Sequence, residues 1–291
     1  MRIPIFTDEV QTQGGWHGAQ LAHAFANRGL EAVFVSLRDC VIDLSLQSPR
    51  IHIPHFDYLP KIAFVRGIAG GTLQQITTRL NVLHMLKMQN MLIYNDAKAI
   101  ERTVDKAMTS FLLHQAGIKT PPTWVCESRQ AAHAVIKQQQ AIMKQELVIK
   151  PLFGSQGQGV RLVDESLPLP MDMHVDGVFY LQSFIKATHD YRVFVVNNKA
   201  IAAMRRSGEG WLHNVALGAK CEAVDADDIL ELAVQAAKAM DIAYCGVDII
   251  RDENGELYVL EINSIPAWRG LQNVAATNIA QALVDDCISL F

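Results

Sequence analysis

The sequence predicts a fold of the α/β and α+β classes, with a parallel sheet in its N-terminal third and antiparallel hairpins later. Strand and helix patterns alternate up to about residue 95, which is typical of a parallel sheet covered by helices. From about residue 178 the signals are mostly hairpins. Half of the 291 residues are hydrophobic and 19% are charged, so the chain can bury a full core. Its length corresponds to roughly two domains of about 150 residues.

The N-terminal elements follow from the spacing of apolar residues. A helix is predicted over His17–Arg28, where Leu21, Ala24 and Phe25 recur at helical spacing, and Gly29 ends it. The other elements predicted here are strands over Arg2–Phe6, Glu31–Leu37, Lys61–Val65 and Met91–Tyr94, and a helix over Leu73–Gln89.

The middle of the chain continues this alternation. A helical region over Ala97–Gln115 ends at Gly117, before the breaker Thr120-Pro121-Pro122. The further predicted elements are strands over Thr123–Cys126, Glu146–Lys150 and Val160–Val163, and a helix over Arg129–Gln140.

The last third is predicted to contain two hairpins and two helices. The first hairpin joins Tyr191–Val196 to Ala200–Met204, and the second spans Gly246–Ile262. The helices are predicted over Ile229–Met240 and near Asn278–Leu290.

Composition and charge exclude several classes of protein. Lys plus Arg total 26 against 30 Asp plus Glu, a net charge of −4, so we expect no nucleic-acid partner. The five cysteines are widely spaced, which is typical of reduced thiols in the cytosol rather than of disulfides or zinc sites. No apolar leader and no run of about 18 apolar residues occurs, so we expect a cytoplasmic protein without a membrane segment.

A glycine-rich loop, Gly154–Gly159, joins two of the predicted strands. Val160 follows it, so it is not a Walker A motif, and a strand rather than a helix comes next, so it is not a dinucleotide fingerprint. Glycines let backbone N–H groups approach a phosphate closely, and Lys150 stands just before the loop. The same residues also suit the flexible tip of a hairpin, and the sequence leaves both interpretations open.

The hairpin near residue 250 has a readable register. A four-residue turn over Asp252–Gly255 would pair Arg251 with Glu256. Continuing the ladder sets Asp248 opposite Val259.

Three oxygen-bearing side chains then share one face of this hairpin. Strand alternation places Glu261 and Asn263 on the face of Val259, and hence on the face of Asp248. Two carboxylates within otherwise apolar strands are costly unless a hard cation such as Mg²⁺ joins them. The alternative is a solvated hairpin face.

The other hairpin is cationic. Asp190 and Arg192 share a strand face, and a two-residue loop near Asn197–Lys199 would put Arg205 on that face and Arg206 on the opposite one. A three-residue loop would reverse this assignment. Arginine suits phosphate oxygens through its planar fork of donors, although a solvated basic face is the simpler interpretation of these residues alone.

Taken in order, these features resemble the ATP-grasp ligases, specifically the RimK-type α-L-glutamate ligases, over nearly all of the chain. The segments that carry the resemblance are DKAMTSFLLHQAGI (Asp105–Ile118), VIKPLFGSQGQGV (Val148–Val160), LQSFI (Leu181–Ile185), DYRVFVV (Asp190–Val196), AAMRR (Ala202–Arg206) and GVDIIRDENGELYVLEIN (Gly246–Asn263). The resemblance implies an ATP-grasp fold with an N-terminal Rossmann-like (pre-ATP-grasp) domain over residues 1–97, a lid subdomain over 98–180 and a C-terminal subdomain over 181–291.

The resemblance also implies a role for individual residues. The expected ATP contacts are phosphate-binding Lys106 and Lys150, the flap residues Ser155, Gln156, Gly157 and Gly159, the adenine hinge Gln182, Ser183, Phe184 and Ile185, and Asp190. The expected metal ligands, for Mg²⁺ or alternatively Mn²⁺, are Asp248, Glu261 and Asn263. The expected catalytic arginines, near the γ-phosphate and the acyl phosphate, are Arg192 and Arg205.

One departure from the family pattern concerns the acceptor, the molecule to which the ligase adds an amino acid. Members that modify a ribosomal protein carry an N-x-H-R-G-G run, whereas this chain reads Asn214-Val215-Ala216-Leu217-Gly218-Ala219, without the His and the Arg of that run. The segments around Arg66 and Trp268 look more like members assigned to tetrahydromethanopterin biosynthesis. Arg66 and Trp268 would then hold an anionic, aromatic substrate by ion pairing and stacking, unless Trp268 packs at a hinge.

The resemblance therefore implies an ATP- and Mg²⁺-dependent ligase that adds L-glutamate to a small-molecule carboxylate acceptor through an acyl phosphate. We expect a homo-oligomer, a dimer or a tetramer, with no membrane partner. The alternatives are a glutamate ligase that acts on the C-terminus of a protein or carrier peptide, and an ATP-binding regulatory module without turnover.

Overall fold

The computed structural model describes residues 1–45, 50–154, 159–163, 177–208 and 220–290. The strands in this part are β1 (Arg2–Phe6), β2 (Glu31–Val35), β3 (Val41–Asp43), β4 (Arg50–His52), β5 (Ile62–Val65), β6 (Leu92–Tyr94), β7 (Thr123–Cys126), β8 (Leu147–Lys150), β9 (Arg161–Leu162), β10 (Phe179–Ser183), β11 (Asp190–Val196), β12 (Lys199–Ser207), β13 (Lys220–Ala223), β14 (Tyr244–Arg251) and β15 (Leu257–Asn263). The α-helices are α1 (Gly15–Ala26), α2 (Leu73–Met88), α3 (Ala97–Val104), α4 (Lys106–Gln115), α5 (Arg129–Ile136), α6 (Asp227–Met240), α7 (Arg269–Gln272) and α8 (Ile279–Ser289).

The first sheet is parallel, with the strand order β2-β1-β5-β6, as the alternation of strands and helices predicts. Helices α1 and α8 cover one face, where Leu21 and Leu283 pack against Ile3. Helix α2 covers the other face, where Val82 packs in the same cluster as Phe6. The strand order reverses between β1 and β5, so loops diverge from their carboxyl ends and leave room for a ligand there.

The second sheet is antiparallel, with the order β7-β10-β8-β9, and is covered by α5. The glycine-rich loop joins β8 to β9, as expected, but Ser155, Gln156 and Gly157 lie outside the described residues. Strand β10 is buried throughout and pairs with β7 and β8 along its length. The expected boundary between residues 180 and 181 therefore falls inside a strand of this sheet.

The third sheet is antiparallel, with the order β13-β12-β11-β14-β15. One face packs against α6, and Val193 and Val247 lie in that cluster with Ala233. On the opposite face Phe194 packs with residues of the first sheet and its helices. The third sheet thus lies between α6 and the N-terminal part of the chain.

The helical region predicted over Ala97–Gln115 is two helices rather than one. The side chain of Asp105 accepts hydrogen bonds from the N–H groups of Ala107 and Met108, and this N-cap starts α4. Both helices contribute to the α6 side of the third sheet, through Ala99 and Leu113.

Two β-bulges change the predicted registers. In the β11–β12 pair, Phe194 faces Ala202 whereas Val195 faces Ala200, so Ile201 is the extra residue. In the β14–β15 pair, Arg251 faces Leu257 rather than Glu256, so the turn has five residues and not the expected four. Asp248 then faces Glu261 whereas Ile249 faces Val259, which leaves Leu260 as the extra residue.

Several elements were not predicted. Strands β3 and β4 pair with each other, and β13 extends the third sheet. These strands are only three or four residues long, so they contain little periodicity. Within the described part of the chain, no helix is long and apolar enough to cross a membrane.

Candidate active site

The candidate site lies on the face of the third sheet opposite α6. Arg192 on β11, Asp248 on β14 and Glu261 on β15 are direct neighbours across three adjacent strands. Asp248, the central residue of the three, is only 5% exposed, so its charge is almost completely shielded from solvent. Antiparallel pairing places them together because facing residues on adjacent strands project to the same side.

Asp248 is bound by two arginines. Arg192 donates from both Nε and Nη2 to its carboxylate, with Nη2 2.7 Å from Oδ2. Arg206 Nη2 lies 3.2 Å from Oδ1 of the same carboxylate. Burial alone would raise the pKa of Asp248, but the two guanidinium groups outweigh burial and hold this pKa well below its usual range.

Arg206 also binds Asp190 from the neighbouring strand. Its Nε lies 2.6 Å from Asp190 Oδ1, and both side chains are buried. Burial raises the pKa of Asp190, and Arg206 opposes that change. Asp190 was expected to contact ATP; here its side chain anchors an arginine.

The expected face of Arg205 is wrong. The turn at Asn197-Asn198 does have two residues, but the bulge at Ile201 turns every later residue of β12 to the other face. Arg205 therefore lies opposite Tyr191 and pairs with Glu222 on β13, with its side chain 43% exposed. Arg206 lies on the face that was expected for Arg205.

The two expected phosphate-binding lysines lie beside Glu261. Lys106 donates to the carbonyl oxygens of Leu152 (3.3 Å) and Gly154 (2.9 Å), and Lys150 donates to Gln182 Oε1 (2.6 Å). Burial lowers the pKa of Lys150 to about 8, the charge of Glu261 opposes this, and the charge of Lys106 adds to it. Two ammonium groups close enough to perturb each other favour binding of an anion.

Gln182 connects Lys150 to the second sheet. Its amide donates to Thr123 Oγ1 at 3.0 Å and to the Tyr180 hydroxyl at 3.1 Å, and that hydroxyl also bonds Ser110. The side chain of Gln182 is thus used inside the protein, which agrees with a hinge that would meet adenine through backbone groups.

The rest of the expected adenine hinge follows β10. Ser183 and Phe184 donate their backbone N–H groups to Pro122 and Glu146, each at 2.8 Å. Within the described residues, Ile185 makes no backbone hydrogen bond of this kind.

The predicted metal ligands converge although the predicted register was wrong. Val259 lies opposite Ile249 on the α6 side, but the bulge at Leu260 brings Glu261 opposite Asp248. Asn263 Nδ2 donates to Glu261 Oε1 at 3.1 Å.

This donor set fits Mg²⁺. It offers two carboxylates and one amide oxygen, and Mg²⁺ in phosphoryl-transfer sites takes one or two carboxylates with the remaining positions filled by phosphate and water. Among the described residues there is no cluster of three or more His, Cys, Asp or Glu side chains that could hold a metal by themselves. A phosphate-bearing substrate would therefore complete the coordination.

The two expected substrate residues near the first sheet are found together, but Trp268 cannot stack on a substrate. It is 1% exposed and packs against His17, Trp16 and Phe194, which is the hinge-packing alternative. The guanidinium of Arg66 lies over its ring at 5.0 Å. Asn214 lies outside the described residues, and Gly159 has a positive φ of 73° at the end of the glycine-rich loop.

Sequence reasoning missed Arg206 and a group of residues after β1. The charge of Arg206 was visible, but its face depends on a bulge. Asp8, Glu9 and His17 line a cavity with Arg66. Their position directly after a strand and at a helix start was a usable signal, because ligands bind at the carboxyl ends of parallel strands.

Known proteins resemble this chain in sequence and in fold. The family model of the RimK-like ATP-grasp domain matches residues 103–287. The tetrahydromethanopterin:α-L-glutamate ligase of Methanocaldococcus jannaschii is 36% identical over 209 residues, which cover 67% of this chain and 70% of that protein. A probable α-L-glutamate ligase of Shewanella amazonensis is 32% identical over 282 residues, with 91% and 89% covered.

Solved structures share the fold. A D-cycloserine synthetase superposes with a TM-score of 0.75 at 18% identity, with 100% of both chains covered. An ATP-grasp ligase in complex with a minimal precursor gives a TM-score of 0.75 at 19% identity, with 99% of both chains covered. The fold is the ATP-grasp fold.

Fold and site together define an ATP-grasp ligase, an enzyme that forms a carbon–nitrogen bond and releases ADP. Since the family model spans more than half of the sequence, the chain belongs to the RimK-like ATP-grasp family.

Proposed function

We propose that this enzyme adds L-glutamate to a carboxylate of a small cofactor through an acyl phosphate, and that the acceptor is a tetrahydromethanopterin-type pterin. The observation that carries the ligase chemistry is the meeting of Arg192, Asp248 and Glu261 on one face of the third sheet, with Lys106 and Lys150 close enough for their charges to act on each other and on Glu261. The choice of glutamate and pterin is supported by the names of the relatives from Methanocaldococcus jannaschii and Methanococcus maripaludis, which are 36% and 33% identical.

The first step transfers a phosphoryl group. A carboxylate oxygen of the acceptor attacks the γ-phosphorus of ATP, the bond to the ADP oxygen breaks, and an acyl phosphate forms. Lys106 and Lys150 would hold the phosphates, and Arg192 would lie near the group in transit. Positioned cations suit this reaction because its transition state concentrates negative charge on phosphate oxygens.

When bound, Mg²⁺, or alternatively Mn²⁺, supplies neutralisation of the phosphate charge. Glu261, Asn263 and Asp248 would hold the ion. Asp248 also keeps Arg192 in place through two hydrogen bonds, so one carboxylate serves both the metal and the arginine.

The second step forms the amide. The ammonium group of glutamate first loses a proton to solvent, and the resulting amine attacks the acyl carbon. The bond from that carbon to the phosphate oxygen breaks, and inorganic phosphate leaves with the second proton of the nitrogen. The protein contributes position and charge in this step and no covalent nucleophile.

A cytoplasmic location, a homo-oligomeric state and the three-part domain division belong to the same proposal.

The test is product analysis with defined acceptors. Purified enzyme is supplied with ATP, Mg²⁺ and L-glutamate, with and without tetrahydromethanopterin, and ADP and product mass are measured. We expect ADP release that requires the pterin, together with a pterin heavier by one glutamyl residue. A glutamylated acidic peptide instead would keep the ligase and replace its acceptor.

A matched pair of variants checks the metal assignment. Glu261→Gln should lower turnover at least 100-fold at any Mg²⁺ concentration, because it removes a charged metal ligand, whereas Glu253→Gln, in the exposed turn of the same hairpin, should not. Full activity of Glu261→Gln would refute the metal site. Nucleotide binding without ADP release for any acceptor would favour a regulatory module.

A further inference from the structure

A polar cavity of about 280 Å³ opens at the carboxyl ends of β1 and β5, next to the end of β15. It lies where the strand order of the first sheet reverses, which is the usual position for a ligand in an open parallel sheet. Its charged lining comes from two loops: Asp8 and Glu9 follow β1, and Arg66 follows β5.

Arg66 brings an incompletely used guanidinium to this cavity. Its Nη1 reaches the carbonyl oxygen of Ile265 only at 3.4 Å, and its Nε is buried without a hydrogen-bond partner among the described residues. The Trp268 ring under the guanidinium, 5.0 Å from it, restricts the plane of the fork. A buried donor without a partner costs about 1–3 kcal/mol of free energy. A ligand atom that accepted a hydrogen bond from this Nε would remove that cost.

Asp8 and Glu9 supply the opposite charge without neutralising Arg66. Their charges act on the guanidinium, yet no ion pair joins either carboxylate to it, all three residues being in the described part. The Asp8 carboxylate lies against Gly67, where an added Cβ would come within 2.3 Å of Oδ1. The cavity therefore holds one cation and two anions that remain apart.

His17 adds a neutral donor. Its Nε2 accepts a hydrogen bond from the backbone N–H of Trp268 at 3.1 Å, so the ring proton is on Nδ1. Burial, together with the charges of Arg66 and Arg269, lowers the pKa of His17 to about 4, which keeps the ring uncharged at neutral pH.

We propose that this cavity binds the incoming α-amino acid, with its α-carboxylate on Arg66 and its ammonium group against Asp8 and Glu9. This inference rests on the proposed ligase function. A ligand that carries both charges matches the lining, whereas the acceptor carboxylate alone would face two like charges. The volume is also below the about 300–1,000 Å³ of pockets that enclose drug-sized ligands, so a single amino acid fits better than a pterin.

The position suits the second step of the reaction. Ile265 lines the cavity and follows Asn263, a proposed metal ligand, by two residues. Two residues span at most about 7 Å, so the cavity borders the strand end that carries the proposed metal ligands.

The test is binding of L-glutamate to the full enzyme with Mg²⁺ and the ATP analogue AMPPNP, measured by calorimetry. Arg66→Met should raise the Kd for L-glutamate at least tenfold, which is about 1.4 kcal/mol, without changing the Kd for AMPPNP. Arg50→Met, an exposed arginine of the same region, is the matched control and should bind both ligands like the wild type.

A second comparison isolates the ammonium contact and does not depend on the folding of the Arg66 variant. Glutarate has the two carboxylates of glutamate without the amine. The double variant Asp8→Asn/Glu9→Gln makes nearly isosteric changes at two exposed positions. It should lower the ratio of the Kd for glutarate to the Kd for glutamate at least tenfold. An unchanged preference, or wild-type enzyme that binds AMPPNP but no glutamate, overturns this subsite. Failure to bind AMPPNP counts instead against the proposed function.

Discussion

The charge of Lys150 depends on what occupies the site. Burial and the neighbouring charge of Lys106 together lower its pKa to about 8, against the attraction of Glu261. A bound polyphosphate would favour the protonated lysine and raise this pKa. Protonation of Lys150 and nucleotide binding are therefore coupled.

This coupling predicts how affinity depends on pH. The Kd for Mg·ADP should be constant below about pH 7.5, where free Lys150 is protonated, and should rise by up to about tenfold per pH unit above about pH 8. The rise ends when pH passes the higher pKa of the complex. Titration calorimetry across this range measures it.

Lys150→Met provides the comparison. This variant should bind Mg·ADP more weakly, and its Kd should not rise as the pH increases through about 8. An equal rise in the Kd of the variant would assign the effect to another group.

Single residues differ in how far the sequence reveals their role. Lys150 stands out because it ends an apolar strand and Glu261 because it interrupts one, and the structure brings the two charges close together. The unpaired state of Arg66 cannot be predicted in this way, because it depends on the distances to Asp8 and Glu9 across a cavity.

For the strands, the two bulges decide which side chains meet. One extra residue in β12 turns Arg206 toward Asp190 and Asp248 and turns Arg205 toward Glu222. Gly246 contributes on the facing strand, since an added Cβ there would lie 3.2 Å from Cδ of Arg192. The site face of this sheet is therefore shaped by backbone irregularities as much as by residue type.

The bulge predicts opposite results for two adjacent arginines. Arg206→Met should lower the free energy of unfolding by about 3–5 kcal/mol, because it leaves the buried carboxylate of Asp190 without its arginine and removes one of the two arginines that bind Asp248. Arg205→Met should change stability and turnover little, because ion pairs at the surface contribute little. Urea unfolding and ADP release measure both effects. A large loss of turnover in Arg205→Met, with Arg206→Met unaffected, would contradict the observed register.

For the chain as one body, Asn95 joins the first sheet to the third. Its side-chain amide donates to the carbonyl oxygens of Tyr244 (2.7 Å) and Ser264 (2.8 Å) and accepts from the N–H groups of Ala243 and Tyr244. The residue is fully buried. This amide fixes the loop after β6 against both β14 and the end of β15, beside the proposed active site.

Removal of that amide should destabilise the protein strongly. Asn95→Leu keeps the branched shape and the number of heavy atoms but leaves several buried backbone groups unpaired, at about 1–3 kcal/mol each, so we expect a loss of at least 3 kcal/mol. Asn81→Leu, at an exposed position of α2, should stay close to the wild type. The free energy of unfolding measured in urea distinguishes them, and equal stability of both variants would show that the amide contacts contribute little.

The sequence by itself determined most helices and strands, the parallel sheet followed by antiparallel hairpins, and the residue types at the site. These depend on periodicity and on turn and cap residues, which are local in the chain. Only the tertiary structure decided which arginine faces Asp248, that Trp268 is buried, and that Arg66 meets Asp8 and Glu9 across a cavity. Bulges and contacts between distant segments decide these points, because one inserted residue reverses a strand face and leaves the hydrophobic pattern almost unchanged.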